Sequence, residues 1–448
     1  MAPREYDLLE LEAEQRTVSL LPASFATENG AGVLMEWVST ATAESPACLR
    51  ATLTNHNEFR AKFRTRSVPP FDRVAHSLLR DHTSSESSIY LAPTASHPLV
   101  DGEPAYERRP SGHWGATRVP PKQPSSIWLD PEESVTGEYY LLGGVDSERL
   151  LTGRYRFASG ASRGGFSLAV WDTDRPGPVD EPRFAGLSLP SLVDSVKGRF
   201  PGSVSWFHDA DGKTDVYLEP TAESAEIPGR IDFTLVNRSD HSLVGNPLCW
   251  SVLKRHDGRW FHVAPSGFPQ PRQALPPGET RTDALRVFAD DPVPCDDGHD
   301  VGHLGGGSYA FTVGSYDGTE YAAAFDLRGD AVEVTPTDAV EIVTLDEGSL
   351  TARSTRGVDD GTRLWRYTIS RADRPEESVT RPIAEQVLRR QPLRDALGLL
   401  LDHDVARVTV EEFTDSRPPF GIGDAEYVEY EGTCYRISTV AADDAETT

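Results

Sequence analysis

Lysine is scarce in this sequence. Of the 44 basic side chains in its 448 residues, five are lysines, and arginine supplies the others. The 70 aspartates and glutamates leave a net charge of −26. An acid-rich, lysine-poor surface keeps a protein hydrated in concentrated salt, so the composition predicts a protein from a halophile. The Debye length in molar salt is about 3 Å, and this charge therefore does not attract partners over a distance.

Cysteine pairs and long apolar runs are absent as well. Cys48, Cys249, Cys295 and Cys434 lie far apart without a CxxC pair, which excludes the disulfide framework of a small secreted domain. No apolar run approaches the roughly 18 residues of a membrane span, and the N-terminus has no signal-peptide core. We therefore expect a soluble protein without a membrane partner, cytoplasmic if Met1 is the true start. A signal lost upstream is the alternative.

The acidic excess also bears on nucleic acid as a partner. With few lysines, we expect no basic patch and no basic run interleaved with aromatic residues, which are the features of nucleic-acid-binding surfaces. Nucleic acid is therefore not expected as a partner.

The chain contains two copies of one pattern. Residues 112–114 and 129–134 (GHW and LDPEES) match residues 258–260 and 275–280 (GRW and LPPGET) at the same spacing. Upstream, residues 52–55 (TLTN) match 234–237 (TLVN), and downstream 153–157 (GRYRF) match 307–311 (GSYAF). The first copy carries extra residues between Asn55 and Gly112, and the second between Phe288 and Gly307. A repeat of this length indicates architecture before any local feature does.

Both copies are predicted to be β-structure. Residues 231–237 alternate apolar and polar side chains up to a turn-prone cluster after Asn237, and Asp257-Gly258 between two apolar runs predicts a hairpin. Short strands about every eight to twelve residues, joined by turns, are typical of an antiparallel β-sandwich. Trp114 and Trp260, at equivalent positions, are expected in the core rather than on a binding surface.

The order TLxN, GxW, LPPGE and GxYxF resembles that of the bacterial immunoglobulin-like domains related to intracellular proteinase inhibitors. The resemblance covers residues 203–330 closely and 20–173 more loosely, because Pro131-Glu132-Glu133 replaces the proline-glycine turn and segment 56–105 has no counterpart. The whole chain resembles uncharacterised haloarchaeal proteins with such domains in tandem. The resemblance implies a fold and says little about activity.

The expected organisation has four parts. They are a first immunoglobulin-like repeat with a long insertion (1–175), a linker (176–202), a second repeat (203–330), and an α+β module with a disordered tail (331–448). In the module, residues 383–401 have near-helical apolar spacing, and Pro392 within them predicts two helices or a break. The predicted fold class is mainly β: two antiparallel immunoglobulin-like β-sandwiches in tandem plus a small C-terminal α+β domain.

Two stretches could carry chemistry. Residues 160–164 fit G-x-S-x-G, with Ser162 as a nucleophile, but that motif needs a helix after it and residues 166–172 are predicted to be a strand. Cys295, His299 and His303 have the spacing of zinc ligands in the second copy's extra loop. An acidic surface loop is the alternative there. Zinc is thus a candidate cofactor, and no catalytic residue is assigned.

The expected function is that of a non-enzymatic protein-binding or structural module, with another protein as partner. The duplicated β-pattern supports this expectation, because no set of catalytic residues converges in the sequence. Two alternatives stay open. One is a metal-dependent or serine hydrolase that uses the residues above, and the other is a proteinase inhibitor whose insertion, residues 56–105, docks into a protease.

Overall fold

The computed structural model describes residues 5–79, 87–158, 164–195, 202–267, 269–357, 363–375, 379–414, 420 and 426–441. These residues are mainly β-structure, in several sheets with mostly antiparallel neighbours. Their buried apolar side chains form three large clusters, within residues 11–170, 207–327 and 334–437, and Ile383 joins the second. We call the elements around these clusters the first, second and third units. No helix in the described ranges is long and apolar enough to cross a membrane.

The first unit has fourteen strands within its described residues. They are β1 (Asp7–Leu11), β2 (Arg16–Leu21), β3 (Ser24–Ala26), β4 (Ala31–Ser39), β5 (Cys48–Asn55), β6 (Ala61–Arg64), β7 (Ala75–Leu78), β8 (Ser88–Pro93), β9 (Tyr106–Arg108), β10 (Trp114–Ala116), β11 (Ser126–Leu129), β12 (Ser134–Gly143), β13 (Gly153–Ala158) and β14 (Gly165–Asp172). One sheet has the order β1-β2-β14-β13, and a larger one β3-β4-β5-β12-β10-β9 with β7 and β8 attached to β12. β6 and β11 form a separate pair.

The second unit shares part of this plan. A short helix α1 (Leu192–Ser195) precedes β15 (Ser203–Trp206), β16 (Val216–Pro220), β17 (Ser224–Glu226), β18 (Gly229–Asn237), β19 (Leu243–Gly245), β20 (Trp250–His256), β21 (Arg259–Ala264), β22 (Gln273–Leu275), β23 (Thr280–Val287), β24 (His299–Val301), β25 (Gly307–Tyr316) and β26 (Thr319–Arg328). The sheet β16-β18-β23-β24 and the sheet built on β15-β26-β25-β19-β22, with β17, β20 and β21, supply its core.

In its described residues, the third unit is one six-stranded sheet with two helices. Its elements are β27 (Val340–Asp346), β28 (Ser349–Ser354), β29 (Arg363–Arg371), α2 (Ala384–Leu388), α3 (Gln391–Asp402), β30 (Arg407–Thr414), β31 (Glu426–Tyr430) and β32 (Thr433–Ala441). The strand order is β27-β28-β30-β29-β32-β31. Pro392 lies in the first turn of α3, where a missing N–H does no harm, so the predicted break between two helices is confirmed.

Aligned residues of the two copies have the same hydrogen-bond partners. The buried Asn55 donates from Nδ2 to the carbonyl of Leu129 at 3.0 Å, and Asn237 donates to that of Leu275, the aligned residue, at 2.7 Å. Each asparagine also bonds the carbonyl four residues later, so that it ties its own strand end to the turn of the copy. The repeat in the sequence is therefore a repeat of contacts.

The turn that differs in sequence keeps its backbone shape. Gly278 has φ +79°, and Glu132, the aligned residue in the first copy, has φ +58°. Their N–H groups donate to the carbonyls of Asn237 and Asn55, at 2.6 and 2.9 Å. Glycine adopts this left-handed conformation without strain, whereas glutamate does so at a cost.

The first and second units are joined by that second turn. Arg154 of β13 donates two hydrogen bonds to the carboxylate of Glu279, at 2.8 and 2.7 Å. A Cβ placed on Gly278 would lie 2.6 Å from the Cβ of Ala169 and 3.2 Å from that of Ser19, so only glycine lets the turn approach the first unit this closely. The two copies thus contact each other directly.

The segment between the copies is packed rather than loose. The Trp260 indole donates to the Pro190 carbonyl at 2.8 Å, and Leu192 of α1 is buried beside it. In the first copy, Trp114 donates to the carbonyl of Thr42 at 3.0 Å. Both tryptophans are buried, which confirms their predicted place in the core.

The second and third units are joined through α2. Ile383, just before the helix, lies in the second core, and Gln386 donates to the carbonyl of His262 at 2.9 Å. Glu385 forms an ion pair with Lys254 of β20, and both side chains are nearly buried. A buried pair of this kind fixes one relative placement of the elements that carry it.

The first copy's insertion is held by a buried histidine. His97 Nε2 donates to the Tyr139 hydroxyl at 2.9 Å, and that hydroxyl donates to Gln123 at 3.1 Å. His97 Nδ1 accepts from the N–H of Leu99 at 3.3 Å, so the ring is neutral. Burial lowers the pKa of His97 from its ordinary 6.5 to about 4.

This pKa predicts a loss of stability in mild acid. The unfolded chain takes up a proton on His97 below about pH 6.5, and the folded chain does so only near pH 4, so folding weakens as the pH falls through this window. The full effect is about 3 kcal/mol. Urea unfolding measures the free energy of unfolding at pH 7 and at pH 5. The loss of this free energy between pH 7 and pH 5 should be smaller in His97→Gln than in the parent chain. An equal difference in both proteins would contradict the assignment.

Candidate functional site

The histidines of the predicted metal loop lie apart from each other. His299 lies on β24, where its ring stacks on Trp250 with 4.2 Å between ring centroids, and its Nε2 donates to Asp283 at 3.1 Å. His303 instead bonds Asp291 at 3.0 Å. Burial, with Arg394 nearby, lowers the pKa of His303. The first histidine is therefore part of the second unit's interior rather than of an open ligand set.

Cys295 does not join the two histidines as a third metal ligand. Its side chain is exposed, while its N–H donates to Asp300, which is itself paired with Arg286 at 2.5 Å. Across the described ranges, no group of three or more His, Cys, Asp or Glu side chains is placed to hold a metal ion. Cys295, His299 and His303 are thus near in sequence without converging in space.

The other stretches singled out in the sequence give no catalytic set. Ser162 falls outside the described residues. In segment 56–105, Phe63, Phe71 and Leu91 are buried in the first core, and β8 pairs with β12. The described part of this insertion is therefore built into the unit and is not a free loop.

β27, one of the two edge strands in the described sheet of the third unit, is largely exposed. The strand pairs with β28 on one side and ends the sheet on the other. Six of its seven residues are exposed, and three of these are large and apolar: Ile342 (44% exposed), Val343 (52%) and Leu345 (55%). An edge strand presents unpaired N–H and C=O groups, and apolar side chains there are normally avoided.

The exposed apolar residues of β27 continue the face of the sheet that carries the core. Ile342 lies opposite Ala352, and Leu345 lies opposite Leu350. Cross-strand neighbours share a face, and Ala352 and Leu350 are buried in the third core. The core face therefore extends one strand beyond the part that is buried. A β-bulge between Ile342 and Thr344 adds local twist.

Carboxylates flank this apolar strip. Glu341 lies inside the strand, and Asp346 and Glu347 lie at its end. Within the described part of the chain, none of the three forms an ion pair. The surface formed by β27 and these carboxylates, which we call the edge surface, therefore offers backbone groups, apolar side chains and free negative charge together.

Comparison with known proteins identifies no family for this chain. No protein-family model matches the sequence. No curated protein matches it either.

Solved structures give weak likenesses. The chain is similar to the alkylpurine DNA glycosylase AlkC of Pseudomonas fluorescens over 26% of its length and 31% of that chain, with 15% identity and a TM-score of 0.17. It is similar to the sulfur carrier SoxY of Chlorobium limicola f thiosulfatophilum over 31% of its length and 94% of that chain, with 11% identity and a TM-score of 0.17. It is similar to the FN1-FN3 domains of chicken CNTN1 over 76% and 80% of the two chains, with 10% identity and a TM-score of 0.13. The scores are too low to support an argument about fold or function.

Proposed function

We propose that this chain is a non-enzymatic protein-binding module and that the edge surface is where its protein partner docks. The observation that carries the proposal is an edge strand with exposed Ile342, Val343 and Leu345. A partner adds an extended segment to β27, so that its backbone fills the free hydrogen bonds and its side chains cover the apolar strip. Strand addition of this kind gives affinity through the main chain and specificity through alternate side chains.

The charge of the edge surface defines the partner further. Glu341 and Asp346 lie at opposite ends of the apolar strip. A partner strand with apolar residues in its centre and lysine or arginine at its ends complements this surface, and opposite charges at cross-strand positions each contribute about 0.2–1 kcal/mol. The partner is therefore expected to carry a basic, apolar, extended segment.

The experiment is quantitative affinity capture of the tagged full chain from its native host, in the salt of that host. The edge variant Ile342→Lys/Leu345→Lys is compared with a control, Val179→Lys/Val293→Lys, which adds the same two charges at residues 93% and 67% exposed elsewhere. Charges on an edge strand oppose pairing, so the edge variant is expected to lose its partner about tenfold or more, a change of at least 1.4 kcal/mol. Equal capture by both variants, or no specific partner at all, refutes the proposal.

We infer that the first and second units are immunoglobulin-like sandwiches in tandem, divided near residues 175, 203 and 330, and that the third is a small α+β domain. Tyr155 and Tyr309, at aligned positions, each donate to the carbonyl four residues upstream, at 3.0 and 2.6 Å. A tyrosine bonded back to its own strand entry is typical of immunoglobulin-like sandwiches.

Composition and cysteine chemistry bear on the source of the protein and on its cellular compartment. The acidic, lysine-poor composition supports a haloarchaeal source. All four cysteines lie in the described ranges and none is bonded to another, which supports a reducing, cytoplasmic compartment.

A further inference from the structure

A row of basic side chains lies on the first unit, although the chain as a whole is acidic. Arg60, Lys62, Arg64 and Arg66 are all exposed, whereas the residues between them are buried. Side chains along a strand alternate between faces, so Lys62 and Arg64 of β6 lie on one face, with Arg60 just before the strand and Arg66 in the 3-10 turn that follows it. Alternate residues of a strand lie about 6.6–6.8 Å apart, which is the spacing of Lys62 and Arg64.

One exposed aromatic side chain lies beside this row, and a second precedes the row in the sequence. Trp128 of β11, which is 54% exposed, lies opposite Lys62 in the register of the two strands. Arg60 and Lys62 lie 5.5 and 5.6 Å from the centre of its ring. Phe59, at the start of the row, is 65% exposed. We call these six residues the basic face.

Most of the charge on the basic face is free. Arg60 pairs with Asp130 at 3.3 Å. Among the described residues, no carboxylate pairs with Lys62, Arg64 or Arg66. In a chain of net charge −26, three unpaired cations in one row are retained despite many available carboxylates. Their ligand is therefore expected to be an anion with several charges.

This surface contradicts an expectation from the sequence. Residues 59–66 read Phe-Arg-Ala-Lys-Phe-Arg-Thr-Arg, which is a basic run interleaved with aromatic residues. The expectation that no such run exists was wrong, because net charge averages over the chain whereas a binding surface depends on the charge of one face.

We propose that the basic face binds single-stranded nucleic acid. A row of cations tracks a phosphodiester backbone, and an exposed aromatic ring stacks with the bases, whose π faces make this contact tolerant of sequence. An acidic polysaccharide or acidic peptide supplies the charges without the flat aromatic rings, so Trp128 and Phe59 favour nucleic acid. The proposal is independent of the edge surface, which lies on another unit.

The salt dependence of binding distinguishes phosphate contacts from base stacking. Backbone contacts weaken with salt, and log affinity falls against log salt with a slope of about −0.7 per phosphate contact, or about −2 to −3 for three or four contacts. Stacking acts at contact range and persists when the Debye length is about 3 Å. Binding in molar salt therefore depends mainly on Trp128.

The experiment is fluorescence anisotropy of a labelled oligothymidylate of about 12 nucleotides with the full chain. KCl is varied from about 0.2 to 2 M, within the range where near-UV circular dichroism shows the chain folded. Lys62→Glu/Arg64→Glu is expected to weaken binding at the lowest usable salt about a hundredfold and to flatten the salt slope. Trp128→Ala is expected to weaken binding about tenfold at every salt.

A matched control carries the same change of charge elsewhere. Arg407→Glu/Arg436→Glu reverses two exposed arginines on the third unit and is expected to leave binding within about twofold, since charges far from a contact are screened. Poly-glutamate and dextran sulfate serve as competitors. No saturable binding by the folded chain, or equal losses in both double variants, overturns the proposal. If poly-glutamate or dextran sulfate binds as tightly as the oligothymidylate and Trp128→Ala has no effect, the ligand of the basic face is an acidic polymer and not nucleic acid.

Discussion

The Glu385→Ala protein is expected to be less stable than the parent chain by about 3–5 kcal/mol. The Glu385 and Lys254 side chains are 3% and 12% exposed and form an ion pair between the third and second units. Without the carboxylate, the Lys254 ammonium stays buried and unpaired, and the N–H of Gly305 loses its contact with Glu385. Urea unfolding at fixed salt, followed by circular dichroism, measures the change.

The control for this prediction removes both charges at once. Lys254→Met/Glu385→Leu keeps much of the side-chain volume, and it is expected to lie within about 1 kcal/mol of the parent chain, because a buried ion pair is often no better than an apolar pair. If Glu385→Ala alone lowers the free energy of unfolding by less than about 1 kcal/mol, the Lys254–Glu385 pair does not hold the second and third units together.

The Trp260→Ala substitution is expected to lower the free energy of unfolding by about 3–5 kcal/mol. The Trp260 side chain is 2% exposed and packs with Leu253 and Leu192, so its loss leaves a cavity and exposes the segment that joins the first two units. The hydrogen bond to the Pro190 carbonyl is lost as well. Thermal unfolding measures the stability, and limited proteolysis should show faster cleavage near α1.

Trp128→Ala is the matched control, because it removes the same side chain from a surface. Trp128 is 54% exposed, and its replacement is expected to change stability by no more than about 0.5 kcal/mol. Similar losses in the two tryptophan variants would contradict the view that Trp260 holds the linker to the second unit.

Local signals in the sequence predicted much of the fold. Asp257-Gly258 forms the predicted hairpin turn, with φ values of +47° and +73°. Pro392 lies in the first turn of α3, just after the break that separates this helix from α2. These features depend on a residue's own backbone preferences, which hold wherever the segment lies in the fold.

The candidate sites were less visible in the sequence. Residues 340–346 were not singled out in the sequence, because a pattern of side chains does not show whether a neighbouring strand covers a segment. The zinc-like spacing failed for a related reason: His299 lies on a strand and faces the interior, where Trp250 stacks on it. The basic row at residues 60–66 was readable, and only the net charge concealed it.

The repeat and many of the strands and turns follow from the amino-acid sequence alone. Asn55 and Asn237 make the same hydrogen bond because the repeated pattern contains both partners of each bond, the asparagine and the aligned Leu129 or Leu275. Three features become visible only in the folded molecule: Gly278 docks on the first unit, Glu385 is buried against Lys254, and β27 is an open edge. Each of these depends on which surfaces meet, and packing between residues far apart in the chain leaves no periodic trace in a single sequence.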